Sequence, residues 1–244
     1  MGEVAIMVPA RLESTRLPRK LLLDESGEPL LVHTLKNLQE LRKEWGELWL
    51  VTDSDELESV AGKWVDGVHR STHPFSSGSE RLADAMSATQ AEWVLNVQAD
   101  EPEVDPKELQ GFLESLAKLD PEVEMATLAT PFCSQAVWEN PNAVKVLVNR
   151  KGLAMTFSRA QVPHGGQFDT EGLFHHLGVY AYRNRFLSAW SDLPRGIMED
   201  CERLEQLRVL ENGLPIAVRV IKSAHKGIDT PEDYRAFVQR LASP

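Results

Sequence analysis

Cysteine is nearly missing from this chain: 244 residues hold two, Cys133 and Cys201. Two thiols far apart cannot form a disulfide framework, and neither has the close Cys or His spacing of a zinc site, so both are expected to stay reduced. Positive charge is also short. Lys and Arg number 26 against 37 Asp and Glu, a formal net charge of -11, which excludes the broad basic face that nucleic acid needs. No apolar run approaches membrane-spanning length, which argues against a membrane partner. A strand-like segment begins at Val4, where a signal peptide would carry its charged start and long apolar centre, so cytoplasmic residence is the expectation. Missing too are G-x-x-x-x-G-K-[ST] and a dinucleotide G-x-G-x-x-G after the first strand. No repeat, low-complexity tract or linker stands out, and a single domain spanning 1–244 is the simplest account.

Against that acidic background one stretch is basic. Val4 to Val8 is an apolar run fit for a buried strand, and it breaks at Pro9 into a loop carrying Arg11, Ser14, Thr15, Arg16, Arg19 and Lys20. Surface cations also serve solubility alone. Here they follow a buried strand, at the sheet edge where α/β folds bind ligands, and backbone N–H groups with Arg and Lys side chains suit phosphate oxygens there.

The first half then alternates strand and helix. Apolar residues at 31, 32, 35, 38 and 41 predict a helix over 31–43, Leu48 to Val51 a strand, Asp55 to Trp64 a helix, and Trp93 to Val97 another strand. A helix from Pro106 to about Leu119 and a strand from Met125 to Thr130 follow. This order predicts an α/β fold with a mostly parallel sheet wrapped by helices. The second half is less regular and is expected to be elaborated: strands at Ala143 to Val148, Leu177 to Tyr182 and Ile216 to Ile221, and a helix from Glu199 to Leu210. Thr230 and Pro231 predict the start of a C-terminal helix.

Two carboxylates deserve a chemical reading beside a structural one. Asp100, after the strand Trp93 to Val97, and Asp229, between a strand and a helix, are each placed to cap or to bind a hard cation such as Mg²⁺. Ser77, Gly78 and Arg81 open a helix expected over Glu80 to Ala88, either as a plain cap or as a base-reading turn. His175 and His176 are strand neighbours pointing to opposite faces, which makes a poor chelate.

These blocks carry a resemblance. Pro9 to Pro18 with Lys20 is similar to the nucleotide-binding loop of the 3-deoxy-manno-octulosonate (Kdo) cytidylyltransferases. The likeness continues in order through Ser77–Arg81, Asn96–Pro102, Asn140–Val146, Phe157–Arg159, His176–Tyr180, Leu204–Arg208 and Gly227–Asp233. It implies a nucleotidyltransferase fold of GT-A or Rossmann-like type, with a nucleotide-binding half near 1–130 and sugar-binding and dimerisation elements near 131–244. It further implies CTP and an acidic octulosonate sugar as partners, Mg²⁺ as cofactor, and a homodimer. By the same resemblance Lys20, Asp100 and Asp229 are catalytic, with Asp100 and Asp229 as metal ligands. Pro9, Ala10, Arg11, Ser14, Arg16, Lys20, Ser77, Gly78, Arg81 and Gln98 would hold the nucleotide. Gln98, Arg159, His176, Tyr180, Glu202 and Gln206 would hold the sugar. Arg19 stands where the family usually has Gly, and is expected to add charge beside the triphosphate. The alternatives are the same transfer to an 8-amino or sialic-type acid, a sugar-transferring enzyme on a similar sheet, and a silent nucleotide-binding protein.

Overall fold

A computed structural model describes residues 4–71, 78–222 and 227–242. In chain order the elements are β1 (Val4–Ala10), α1 (Leu30–Asn37), α2 (Gln39–Trp45), β2 (Leu48–Thr52), α3 (Asp55–Ala61), β3 (Gly67–Arg70), α4 (Gly78–Asp84), β4 (Trp93–Asn96) and α5 (Pro106–Leu116). There follow β5 (Met125–Thr130), α6 (Gln135–Glu139), β6 (Lys145–Val148), β7 (Ala154–Ser158), β8 (Leu173–Arg183), α7 (Asn184–Ser188), α8 (Ile197–Glu202), α9 (Gln206–Glu211), β9 (Ile216–Val220) and α10 (Pro231–Ala242). They divide into two compact units, Met1–Gln110 with His225–Pro244, and Gly111–Ala224.

In the first unit four parallel strands run in the order β3-β2-β1-β4. β1 is buried along its whole length, the pattern of a parallel strand covered on both faces. Its register sets Ile6 between Leu48 and Leu95, so the segments after Ala10, Thr52 and Asn96 leave the same edge of the sheet. The edge strand β3 was not expected from the sequence, because its four residues have no apolar alternation. Gly67 makes it possible: a Cβ there would stand 2.3 Å from the Trp49 ring on the neighbouring strand.

The helix expected over 31–43 is two helices. Leu38, at φ -88 and ψ -2, ends α1, and the Asn37 amide turns out to the carbonyls of Pro102 at 3.2 Å and Val104 at 2.5 Å. The apolar stripe runs unbroken across that join, so periodicity alone reads it as one helix.

In the second unit β5 pairs antiparallel with β8 and parallel with β9, while β6 pairs antiparallel with both β7 and β8. β8 is longer than the strand expected at Leu177 to Tyr182, because its first residues pair with β6 and its later ones with β5. The helix expected over Glu199 to Leu210 is also broken. Arg203 adopts the left-handed conformation at φ 53, closing α8 just after Glu202, and Gln206 opens α9. A buried pair bridges the break: Arg208 donates from Nε and Nη2 to Glu199, each at 2.7 Å, and stacks its guanidinium 5.0 Å from the Trp190 ring.

Candidate active site

Lys20 is the centre of the first unit's charge cluster. Its ammonium donates to Asp100 Oδ2, to Asp229 Oδ1 at 2.9 Å and to the Ile228 carbonyl at 3.0 Å. Arg16 Nη2 lies 3.0 Å from the other oxygen of Asp229. Burial pulls the Lys20 pKa down, but the attraction and hydrogen bonds of Asp100 and Asp229 outweigh it and leave the group above the ordinary lysine value. Three residues far apart in sequence thus meet at one point.

Each is held by its backbone. The loop after β1 is anchored by Leu17, and Lys20 N–H donates to the Leu17 carbonyl at 3.2 Å. The turn bearing Asp100 is fixed by Thr34 Oγ1 donating to Ala99 O at 2.8 Å and by Ile228 N–H donating to Asp100 O at 2.9 Å. Asp229 precedes a reciprocal cap, in which Asp233 N–H donates to Thr230 Oγ1 at 3.2 Å and Thr230 N–H to Asp233 Oδ2 at 3.0 Å. Because Thr230 and Asp233 cap α10 between them, the Asp229 carboxylate is left to the cluster.

The cluster opens into a cavity of about 620 Å³ lined among others by Pro9, Arg11, Ser14, Arg16, Lys20, Asp53, Arg81, Gln98, Asp100 and Asp229. Nine of the proposed site residues therefore line one cavity. Ala10 is buried in β1 and Gly78 begins α4, neither lining the cavity, and Ser77 lies outside the described residues. Arg19 departs from expectation. Its guanidinium pairs with Glu56, at 3.2 Å and 2.5 Å, and Arg19 is not among the residues lining the cavity. Its backbone takes φ 54, the left-handed conformation that glycine adopts without cost.

The second unit gathers the remaining residues around two points. At the end of β7, Ser158 Oγ and Arg159 N–H both donate to the Glu202 carboxylate, at 2.6 Å and 2.9 Å, while Arg159 Nε donates to the Glu202 carbonyl at 2.8 Å. Lys145, fully buried in β6, donates to the carbonyls of Asn140 at 2.8 Å and Arg159 at 3.1 Å. Burial, then the nearby Arg159 charge, depresses its pKa. On β8, the His176 ring lies 5.4 Å from Tyr180 and 5.0 Å from Phe157, and its Nε2 is 3.0 Å from Thr127 Oγ1. The Thr127 hydroxyl also lies within hydrogen-bond reach of the carbonyls of Val179 at 2.8 Å and Leu177 at 3.3 Å. Burial, reinforced by His175, lowers the His176 pKa to about 3. His175 faces the other way and stacks on Phe132 at 5.3 Å. Gln206 is buried, and its Nε2 has no hydrogen-bond partner.

Comparison with known proteins gives this geometry its family. The family model described as Cytidylyltransferase matches residues 5–222. The chain belongs to the cytidylyltransferase family. Among relatives, this cytidylyltransferase is 34% identical over 242 residues to the 8-amino-3,8-dideoxy-manno-octulosonate cytidylyltransferase of Shewanella sp. strain ANA-3, covering 98% of both chains. It is 35% identical over 238 residues to the 3-deoxy-manno-octulosonate cytidylyltransferase of Chloroherpeton thalassium, covering 95% of this chain and 94% of that one. Its fold matches the solved structure of CMP:2-keto-3-deoxy-manno-octonic acid synthetase complexed with CTP, with a TM-score of 0.90, 31% identity and 98% of both chains covered.

The donor set of this cytidylyltransferase suits Mg²⁺. Among the described residues no group of three or more His, Cys, Asp or Glu could hold a metal ion. Mg²⁺ needs no such cage, since it is commonly held by one or two carboxylates with waters and substrate phosphates as its other ligands. Asp100 and Asp229 already converge on one cation, the Lys20 ammonium. Sequence reading overlooked Asp53, which lines the cavity. Asp53 follows β2 as Asp100 follows β4, so the rule that found one acid at a strand's carboxyl end had the power to find the other.

Proposed function

We propose that this chain transfers the cytidylyl group of CTP to the anomeric hydroxyl of Kdo, releasing pyrophosphate, with Mg²⁺ as cofactor. The observation that carries the reading is the convergence of Arg16, Lys20, Asp100 and Asp229 on one cavity at the carboxyl ends of parallel strands. Arg11, Arg16, Lys20 and Arg81 line it against Glu13, Asp53, Asp100 and Asp229, four cations to four carboxylates. The cavity alone therefore offers a triphosphate no surplus of positive charge, and a cation arriving with the nucleotide would supply it. Mg²⁺ held by Asp100 and Asp229 would neutralise phosphate charge and lower the pKa of the attacking hydroxyl.

The chain's own residues supply the rest. Arg11, Arg16 and Lys20 steady the triphosphate and the leaving pyrophosphate, and Lys20 stays charged because its two carboxylate partners hold its proton. The sugar needs a cation for its carboxylate and mixed donors and acceptors for its hydroxyls. Arg159 has bonds from Nε and Nη1 that fix its guanidinium plane, while the buried Gln206 amide has an Nε2 donor to offer. Glu202 orients Arg159 from both its carboxylate and its carbonyl. Gln98 and Tyr180 complete the proposed set. No side-chain nucleophile is required, because the sugar hydroxyl attacks the α-phosphorus in line.

An 8-amino acceptor is the second reading, since identities of 34% and 35% to the two kinds of relative do not separate them. A homodimer in the cytoplasm belongs to the same proposal, with exposed Met155, Ile197 and Met198 of the second unit as apolar surface to cover. A single-chain mass in sedimentation would remove the dimer. The deciding assay is pyrophosphate release from CTP with Mg²⁺ and either acid, beside Asp100→Ala and Asp229→Ala. Release that needs all three components and falls by about 10²-fold or more in both variants supports the reading. Silence with both acids refutes it.

A further inference from the structure

A second cavity, of about 550 Å³, lies wholly within the second unit and shares no lining residue with the first. Small residues on the sheet open it. Ala126 of β5 and Ala217 of β9 are register partners, and two residues further on Leu128 partners Arg219, so these four side chains stand on one face. Phe112 of α5 lines the same space, with Leu119 and Val123 beyond that helix and Leu153 from the turn between β6 and β7. Arg219 is the charged member of this apolar set. Its Nε is buried and has no hydrogen-bond partner. A glycine inside α5 makes room for its guanidinium: a Cβ at Gly111 would stand 2.7 Å from Arg219 Nη2. Glycine weakens a helix interior relative to alanine, and a charged donor buried without an acceptor is destabilising as well. Both costs fall on one guanidinium, and an acceptor from outside the chain would offset the second.

Charge and lining narrow the guest. Lys118, Lys151 and Arg219 line the cavity with Asp120 and Glu122, three cations to two carboxylates, a local surplus of one positive charge in a chain of net charge -11. One negative charge matches that surplus, whereas a dianion would exceed it and be repelled by the two acids. A carboxylate suits the planar fork of a guanidinium, and the alanine, leucine and phenylalanine surface suits a body without hydroxyls. We infer that this cavity is a binding site for a monocarboxylate with an apolar body, of the medium-chain fatty acid class, its carboxylate on Arg219 and its chain over Ala126, Ala217 and Phe112. The inference stands apart from the transferase reading, since it concerns other residues and a different class of acid.

The test is calorimetric titration of the full-length protein with decanoate and, separately, with decanol, in the absence of nucleotide. Decanoate should bind at a single site, and acetate, which has the charge without the chain, about 10²-fold or more weakly by comparison. Arg219→Met keeps the side chain's apolar stem and removes its charge. It should weaken decanoate about 10- to 100-fold and leave decanol within about twofold, which also shows that the variant is folded. Gly111→Ala adds a methyl group that displaces the guanidinium while favouring the helix, so decanoate should weaken about 10-fold with a melting temperature equal or higher. No decanoate binding to the unmodified protein, or binding that Arg219→Met leaves unmoved, overturns the inference. Equal losses of decanoate and decanol in that variant overturn it too, because Arg219 would then pack against the chain without holding the carboxylate.

Discussion

Lowering the pH from 7 to 5 tests the burial of His176. In the unfolded chain this imidazole takes a proton near its ordinary pKa of 6.5, while in the folded protein burial holds it to about 3. Above 6.5 neither state is protonated. Between 6.5 and 3 the unfolded state binds the proton and the folded state does not, so stability falls as pH falls; below 3 the loss levels off. The slope in that window approaches about 1.4 kcal/mol per pH unit, and from pH 7 to pH 5 the loss sums to about 2 kcal/mol. His176→Gln retains an N–H for Thr127 Oγ1 but does not titrate. Urea denaturation followed by circular dichroism at both pH values should show the unmodified protein losing about 2 kcal/mol more than the variant. Equal losses in the two proteins would refute the argument, because they would mean that His176 is protonated in the folded state as readily as in the unfolded one.

Two further substitutions probe the frame around the site. Arg19→Gly should remove about 1 kcal/mol of left-handed backbone strain while breaking only the exposed pair with Glu56. A melting temperature equal or higher, with CTP affinity within about twofold, is expected, and a large loss of CTP affinity would restore Arg19 to the phosphate site. Glu199→Ala should destabilise the second unit by about 3–5 kcal/mol, since it removes the carboxylate that pairs with the buried Arg208 guanidinium; adding Arg208→Met should recover much of that loss in thermal unfolding.

Several features were legible because they are local. Val4 to Val8 is a continuous apolar run, and the structure buries every one of those residues. The cap at Thr230 is written in four consecutive residues, and it forms. What stayed hidden lacked a local mark. The break at Arg203 places an ordinary residue in a conformation usually signalled by glycine, so the helical stripe from Glu199 reads straight through it. Leu38 hides its join in the same manner, since it serves the apolar face on either side. The meeting of Lys20 with Asp229 spans a separation of 209 residues, and no spacing rule reaches that far. Family likeness supplied that pair, whereas hydrogen bonding in the folded chain supplied Asp53 beside Arg81.

The late arrival of Asp229 sets an order of events during synthesis. A ribosome releases β1 to β4 and the Asp100 turn long before residue 229 emerges. Until then Lys20 faces one acid in place of two, and the Asp100 carbonyl waits for the N–H of Ile228. The charge cluster is therefore completed by the docking of α10, and a chain cut before residue 227 would keep its parallel strands without their second carboxylate. Such a fragment still threads the loop around Lys20, yet it stays a partial nucleotide cradle until the last helix folds home.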